Sequence, residues 1–235
     1  MGFIGFLGDA AEQLRLHYPA LLHGYQVTIL LTAVSMALAL VLGAVVALAR
    51  TAEWRWLRVA SGSYVELFRN TPLLIQLYFW FFALPKLPPL DLPYLGTFHW
   101  LLSSEQAAVL GLTLYTGAYT AEALRSGLRS IDAGQTEAAR AVGLTYMQTR
   151  LYVVAPQAIR IAVPLLTSIL SALFRNSALV SVIGVIDLLA AADRIQQSNF
   201  QTFELFGVAG VLYLSLTLPL AWASGGLERR VARAR

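Results

Sequence analysis

Apolar positions along this chain gather into long blocks instead of alternating with polar ones, and the blocks are long enough to cross a membrane as helices. Residues 27–49 form a run of 23 without a charge, about 34 Å as helix against a hydrocarbon core of about 30 Å. Residues 205–227 form an equally uncharged run. Three less pure blocks lie between them. Residues 57–84 are interrupted by Arg58, Glu66 and Arg69; residues 106–131 hold Glu122, Arg125 and Arg129 in their second half; residues 161–183 hold Arg175. The pattern predicts an all-α, polytopic membrane protein with five crossings, at about 25–49, 57–84, 106–131, 158–183 and 205–227.

Purity separates these blocks. The first and last can face lipid on all sides. The middle three carry charges that lipid penalises by roughly 2.5–3.5 kcal/mol each at the bilayer centre, so they are expected to face protein or water. Arg58, Glu66, Arg69, Glu122 and Arg125 are read as snorkelling to, or pairing near, one interface. Arg175 lies 15 residues beyond Arg160, about 22 Å along a helix, which places it within the membrane. Ahead of the first block, Phe3, Ile4, Phe6, Leu7, Leu14 and Leu16 alternate with polar positions. Residues 1–22 are therefore expected as a separate interfacial segment. They lack a basic start and carry Asp9 and Glu12, so they do not read as a cleaved signal.

Composition fits this picture: 57% of the 235 residues are hydrophobic and 13% charged, about half the charged share of a soluble domain. The net charge of +4 would suit nucleic acid, but the placement of the charges argues otherwise. Arg50, Arg55 and Arg58 follow the first block, Arg125, Arg129, Arg140 and Arg150 follow the third, and Arg229, Arg230, Arg233 and Arg235 follow the last. The opposite side holds Arg15, Lys86 and Arg194. This bias predicts an outside N-terminus and a basic cytoplasmic tail over 229–235. Lys86 is the only lysine, flanked by Pro85 and Leu87, so the chain has no Gly-Lys-Ser/Thr of a P-loop and any ATP must act through a partner. There is no cysteine, which excludes disulfides and thiolate metal sites.

The connection from Ile131 to Pro156 holds the candidate chemistry. Asp132 followed by Gln135, and Thr145 followed by Gln148, have capping-box spacing, and Gly143 between them suits a left-handed helix end. Two short helices over about 132–152, meeting at Gly143, would make a rigid knuckle, with Ala138, Ala139 and Ala141 keeping the first one thin. Glu137-Ala138-Ala139, three intervening residues, Gly143, nine intervening residues and then Val153-Val154-Ala155-Pro156 resembles the EAA-x3-G-x9-I-x-L-P signature of transmembrane subunits of ATP-binding-cassette importers. Val153 and Ala155 depart from it. Glu66 to Gln76, Gly117 to Glu122 and Asn176 to Gly184 resemble the polar amino-acid uptake branch, and the likeness covers about residues 23–228.

That resemblance implies a type I importer permease in the bacterial inner membrane, not itself an enzyme. Asp132, Glu137, Ala138, Ala139, Gly143 and Pro156 would form the coupling helix region that docks on a cytoplasmic ATPase dimer, with Gly143 and Pro156 bounding the lever. ATP and magnesium would be bound by that ATPase and no cofactor by this chain. A second permease chain, identical or sister, and an extracytoplasmic amino-acid-binding protein complete the assembly; five crossings are too few for a lone pathway. Arg175, Asn176 and Ser177, with Gln76 and Glu122, are the candidate substrate path. Related permeases often carry an acidic residue where Asn176 stands. Asn176 beside Arg175, which can clamp a carboxylate, favours an acidic or neutral amino acid such as glutamate, aspartate or glutamine. Arg175 could equally pair with Glu122 or Asp187, or cap backbone carbonyls. The main rival is a secondary transporter or channel driven by an ion gradient, weakened by the lack of an internal repeat. A receptor or assembly factor would not need the knuckle. A membrane enzyme is disfavoured because His17, His23 and His99 are scattered near the outer ends.

Overall fold

The computed structural model describes residues 3–92, 96–98 and 100–233. His99, and Arg235 of the basic tail, lie outside the described residues. The first helix, α1 (Phe3–Ala49), runs 47 residues without a break, about 70 Å and more than twice the hydrocarbon core. The separate segment expected over residues 1–22 is therefore a continuation of the first apolar block. Pro19 stands inside the helix, and neighbouring contacts hold the turns around it. Buried Gln13 accepts a bond from Asn199 Nδ2 at 2.8 Å, and Leu21 belongs to a buried apolar cluster.

The second expected crossing is interrupted. α2 (Arg55–Asn70) stops at Thr71-Pro72, and α3 (Leu73–Tyr78) restarts after Pro72, whose φ of −60° and ψ of 134° are extended. A proline biases the residue before it away from the helical region and has no N–H for the ladder. A π turn (Phe79–Ala83) and a 3-10 turn (Leu84–Lys86) follow. The prolines at 85, 88 and 89 exclude further helix, and the chain forms a small antiparallel hairpin, β1 (Leu90–Leu92) with β2 (Gly96–Phe98), Leu90 opposite Phe98. No strand was expected; the all-α reading holds apart from this hairpin.

α4 (Ser104–Arg129) is followed by α5 (Ala133–Ala141) and α6 (Tyr146–Gln148). α6 continues through a π turn (Thr149–Val154) into α7 (Ala155–Ser177), which ends in a 3-10 turn (Ala178–Ile183). α8 (Leu188–Asn199) and α9 (Thr202–Arg233) complete the chain. Among the described residues, three helical stretches are long and apolar enough to cross a membrane: Gly8–Ala49, Tyr146–Ile183 and Thr202–Arg229.

The chain divides into two compact units: Met1–Met36, Thr71–Thr113 and Ala172–Thr217 form unit one; Ala37–Asn70, Leu114–Ser171 and Leu218–Arg235 form unit two. Unit one is centred on Leu21, Leu188, Ala192, Ile195, Leu205, Val208 and Ala209. In unit two, Val46, Val65 and Ala121 pack together with Leu42 and Tyr64, and Tyr64 Oη donates to Leu114 O at 2.6 Å. α4 and α7 meet so closely there that a Cβ on Gly127 would stand 2.6 Å from Ala158 O, below any real contact, so only glycine fits.

Candidate functional site

The knuckle in unit two is built from local chemistry at three points. Asp132 Oδ1 accepts from Gly134 N at 2.7 Å and opens α5. The reciprocal bond expected from Gln135 is not the one that forms. Gln135 Oε1 instead accepts from Gln157 Nε2 at 3.3 Å, so a residue of α7 ties down the side of α5. α5 closes at Gly143, whose φ is 90°; Gly143 N donates to Arg140 O at 3.0 Å and Leu144 N to Ala139 O at 3.2 Å. This is the Schellman pair, which satisfies carbonyls that a helix end leaves open. Thr145 then forms the full box: Gln148 N donates to Thr145 Oγ1 at 3.3 Å and Thr145 N to Gln148 Oε1 at 2.9 Å.

Pro156 does not bound this element. It sits in the first turn of α7, inside one helical run from Tyr146 to Ile183. Pro156 cannot donate back to Tyr152, and the π turn just before it absorbs the mismatch without ending the helix. The second arm of the knuckle is thus the start of a long apolar helix.

Glu137, Ala138 and Gly143 are exposed while Ala139 is buried. Large apolar side chains stand out around them: Val142 is 80% exposed, and Tyr146, Met147, Leu151 and Tyr152 are also exposed. Also within unit two, half-buried Glu122 pairs with Arg50 Nη1 at 3.3 Å and with Arg125. The structure thus places Glu122 in an arginine cluster, with Arg50 at the end of α1 and Arg125 one turn along α4.

The other predicted path residues lie in unit one. Arg175 is exposed, Asn176 half-buried and Ser177 buried, its Oγ donating to Phe174 O at 2.8 Å. Gln76 is buried, and its Nε2 donates to Thr71 O at 3.1 Å and Thr71 Oγ1 at 2.8 Å. α3 packs on the 3-10 turn that follows Ser177, which brings the elements bearing Gln76 and Ser177 together; Glu122 belongs to the other unit.

Two features of unit one were missed by sequence reasoning. Asp187, weighed only as a partner for Arg175, is fully buried. Its Oδ1 accepts from Ala190 N at 2.9 Å and its Oδ2 from Tyr213 Oη at 2.9 Å, while the next amide, Leu188 N, donates to Thr28 Oγ1 at 3.1 Å. α1 approaches this junction so closely that a Cβ on Gly24 would stand 2.7 Å from Asp187 O. The second feature is a cavity of about 470 Å³ whose lining includes Ser181, Gly184, Asp193, Arg194, Gln197 and Phe206. Tyr213 lies 26 residues from Asp187 and Thr28 lies 160 from Leu188, and much of the cavity lining lies on α8, which no periodicity signalled.

Long apolar helices, with an exposed, doubly capped knuckle leading into one of them, define an integral membrane protein. The chain belongs to the family of binding-protein-dependent transport system inner membrane components, whose model matches residues 39–233. It is 35% identical over 210 residues to the probable glutamine ABC transporter permease protein GlnM of Bacillus subtilis, covering 89% of this chain and 92% of that one. It is 36% identical over 217 residues to the glutamate transport system permease protein GluC of Corynebacterium glutamicum, covering 91% and 95%. A crystal structure of an amino acid ABC transporter with histidines superposes with a TM-score of 0.81 at 30% identity, covering 93% of this chain and 97% of that one. The family makes this a multi-pass membrane permease of amino-acid ABC transporters, a transport component whose function involves a partner ATPase.

Proposed function

We propose that this chain forms half of the translocation pathway for ATP-driven uptake of a polar amino acid, acidic or neutral, with the knuckle as the lever that couples transport to ATP. The observation that carries the reading is the knuckle itself: a helix fixed at both ends by Asp132 and Gly143, presenting Glu137, Ala138 and Val142 to solvent. A lever that shifts a pair of global states needs such rigidity. A cytoplasmic ATPase dimer binds ATP and magnesium and receives this surface; the permease chain binds no cofactor. A second permease chain and an extracytoplasmic binding protein complete the importer. Five crossings follow if α4 and the broken α2–α3 pair supplement the three long apolar stretches, with the N-terminus outside and the C-terminus in the cytoplasm.

Arg175, Asn176, Ser177 and Gln76 are the substrate-path residues of this reading, with Glu122 a structural brace as much as a path residue. Asn176 beside Arg175 suits a carboxylate, and the relatives named for glutamine and glutamate span the neutral and acidic options. The test is ATPase activity in vesicles after co-expression with the candidate ATPase. Wild type should assemble activity that Glu137→Lys and Gly143→Asp lose by tenfold or more while the chain still inserts. Transport by the chain alone, or normal coupling in both variants, would replace this reading with a gradient-driven secondary transporter or channel.

A further inference from the structure

Beside the knuckle, within unit two, two cavities adjoin, one with basic and hydroxyl side chains in its lining and one without them. The first, about 230 Å³, is lined by Thr51, Arg129, Thr136, Tyr146, Thr149 and Arg150, and also reaches Leu128 and Val154. The second, about 180 Å³, lies among Ala44 and Leu48 of α1, Leu124 and Leu128 of α4, and Ala158 and Ile159 of α7, and its whole lining is alanine, leucine and isoleucine. Leu128 lines both, and Val154 of the first is joined in the chain to Ala155 of the second.

In an otherwise largely apolar lining, the first cavity gathers the groups that hold an oxyanion. Arg129 and Arg150 bring two positive charges, and no acidic side chain is among its described lining residues. The Arg150 guanidinium lies over the Tyr146 ring at 4.7 Å, and its Nη1 stands 3.5 Å from Thr51 Oγ1. Those contacts fix its plane yet engage one of its five N–H donors. Thr149 is 1% exposed, and its Oγ1 has no hydrogen-bond partner among the described residues. A buried hydroxyl left so is unfavourable, and a phosphate oxygen in the cavity would accept from it. At this volume the cavity is smaller than sites for drug-sized ligands but has room for a phosphate.

A free anion has no use for the adjoining apolar groove. A molecule that ends in a phosphate and continues as hydrocarbon uses both. We infer that one anionic phospholipid occupies the pair, its phosphate on Arg129, Arg150 and Thr149 and an acyl chain along α1, α4 and α7. Basic pockets between membrane helices bind such headgroups, and guanidinium groups pair well with phosphate. The lipid would brace the base of the knuckle, so transport would depend on the charge of the surrounding leaflet. The inference rests on the membrane placement that the family provides and not on the coupling reading.

The assembled importer, this chain with its ATPase, is purified and analysed by native mass spectrometry with phosphatidylglycerol and phosphatidylcholine in competition. One phosphatidylglycerol per chain should be retained with about tenfold preference. The preference should vanish in Arg129→Gln/Arg150→Gln and persist in Arg129→Lys/Arg150→Lys. Phosphatidylglycerol with a photoreactive acyl chain, on the wild type, should label peptides containing residues 44–48, 124–128 and 155–159, so the answer does not depend on the variants assembling. Equal retention of the two lipids, labelling elsewhere, or an unchanged preference in the glutamine variant would overturn the inference. So would inorganic phosphate at millimolar concentration displacing the lipid from wild type while still binding equally well to Ala44→Phe, whose groove is filled; that result would mark a free-anion site. Normal coupling in both Glu137→Lys and Gly143→Asp, with lipid retention intact, would leave this inference standing and sink the previous one.

Discussion

Two helices in this chain end on the same backbone device in opposite surroundings. α5 closes on Gly143 and the turn after α7 closes on Gly184, both at a φ of 90° with open space where a Cβ would stand. Around Gly143 the neighbours are in solvent, Val142 most of all. Around Gly184, Ile183, Val185 and Asp187 are all buried, and Asp187 caps α8 while holding Tyr213. A left-handed glycine ends a helix in either place; what the chain does next decides whether the turn presents a surface or holds a core together. The knuckle at Gly143 owes its rigidity mainly to hydrogen bonds between near neighbours in sequence, with one tie from Gln157 of α7, whereas the turn at Gly184 leads into a junction drawn from α1, α8 and α9.

That contrast is tested most severely at Asp187. Asp187→Ala removes the α8 cap and leaves the buried Tyr213 hydroxyl without its acceptor, so a loss of about 3 kcal/mol is expected. It should be read as a fall in the thermal midpoint of the purified importer in detergent; an unchanged midpoint would deny the junction its structural role. Next come Gly184→Ala and Gly143→Ala, each of which places an L side chain at positive φ at a cost of about 1–2 kcal/mol. Gly184→Ala should lower the thermal midpoint, while Gly143→Ala should leave it nearly unchanged and cut binding-protein-stimulated ATPase several-fold. If the two variants behave alike in both assays, the distinction between presenting and holding turns is wrong. Tyr213→Phe, which deletes one hydrogen bond from the buried junction, should cost about 1 kcal/mol, visible as a smaller shift than Asp187→Ala gives. Smallest is Thr145→Ala, worth about 1 kcal/mol of local helix start. It should be seen as faster amide exchange over residues 146–148 with the midpoint unmoved, and Thr145→Ser should restore protection.

The same contrast separates what the sequence reveals from what it hides. Thr145 with Gln148, and Gly143 before them, form bonds between residues three to five apart, and the one-dimensional pattern is enough to find them. Asp132 is legible as a cap, yet its reciprocal partner is not, because Gln135 meets Gln157 from α7. Thr71-Pro72 held a local signal for the break in the second crossing, and the apolar run around it concealed that signal. Glu122 shows the limit from the other side: Arg125 is one turn away, but Arg50 is 72 residues distant, so its pairing needs the fold. Nothing local marks Asp187, Thr28, Gly24 and Tyr213 as neighbours, nor joins the continuous α1 across Pro19.

The π turn at Thr149–Val154 holds a further consequence, in the phase of the helix. Its extra residue is taken up within one wide turn, so the helix on either side keeps nearly the same angular phase. Regular α winding over the same six residues would instead turn α6, with Tyr146 and Met147, by about 100° around the axis of α7. The aim of that exposed face is set by the winding of a single turn, with every side chain on it unchanged.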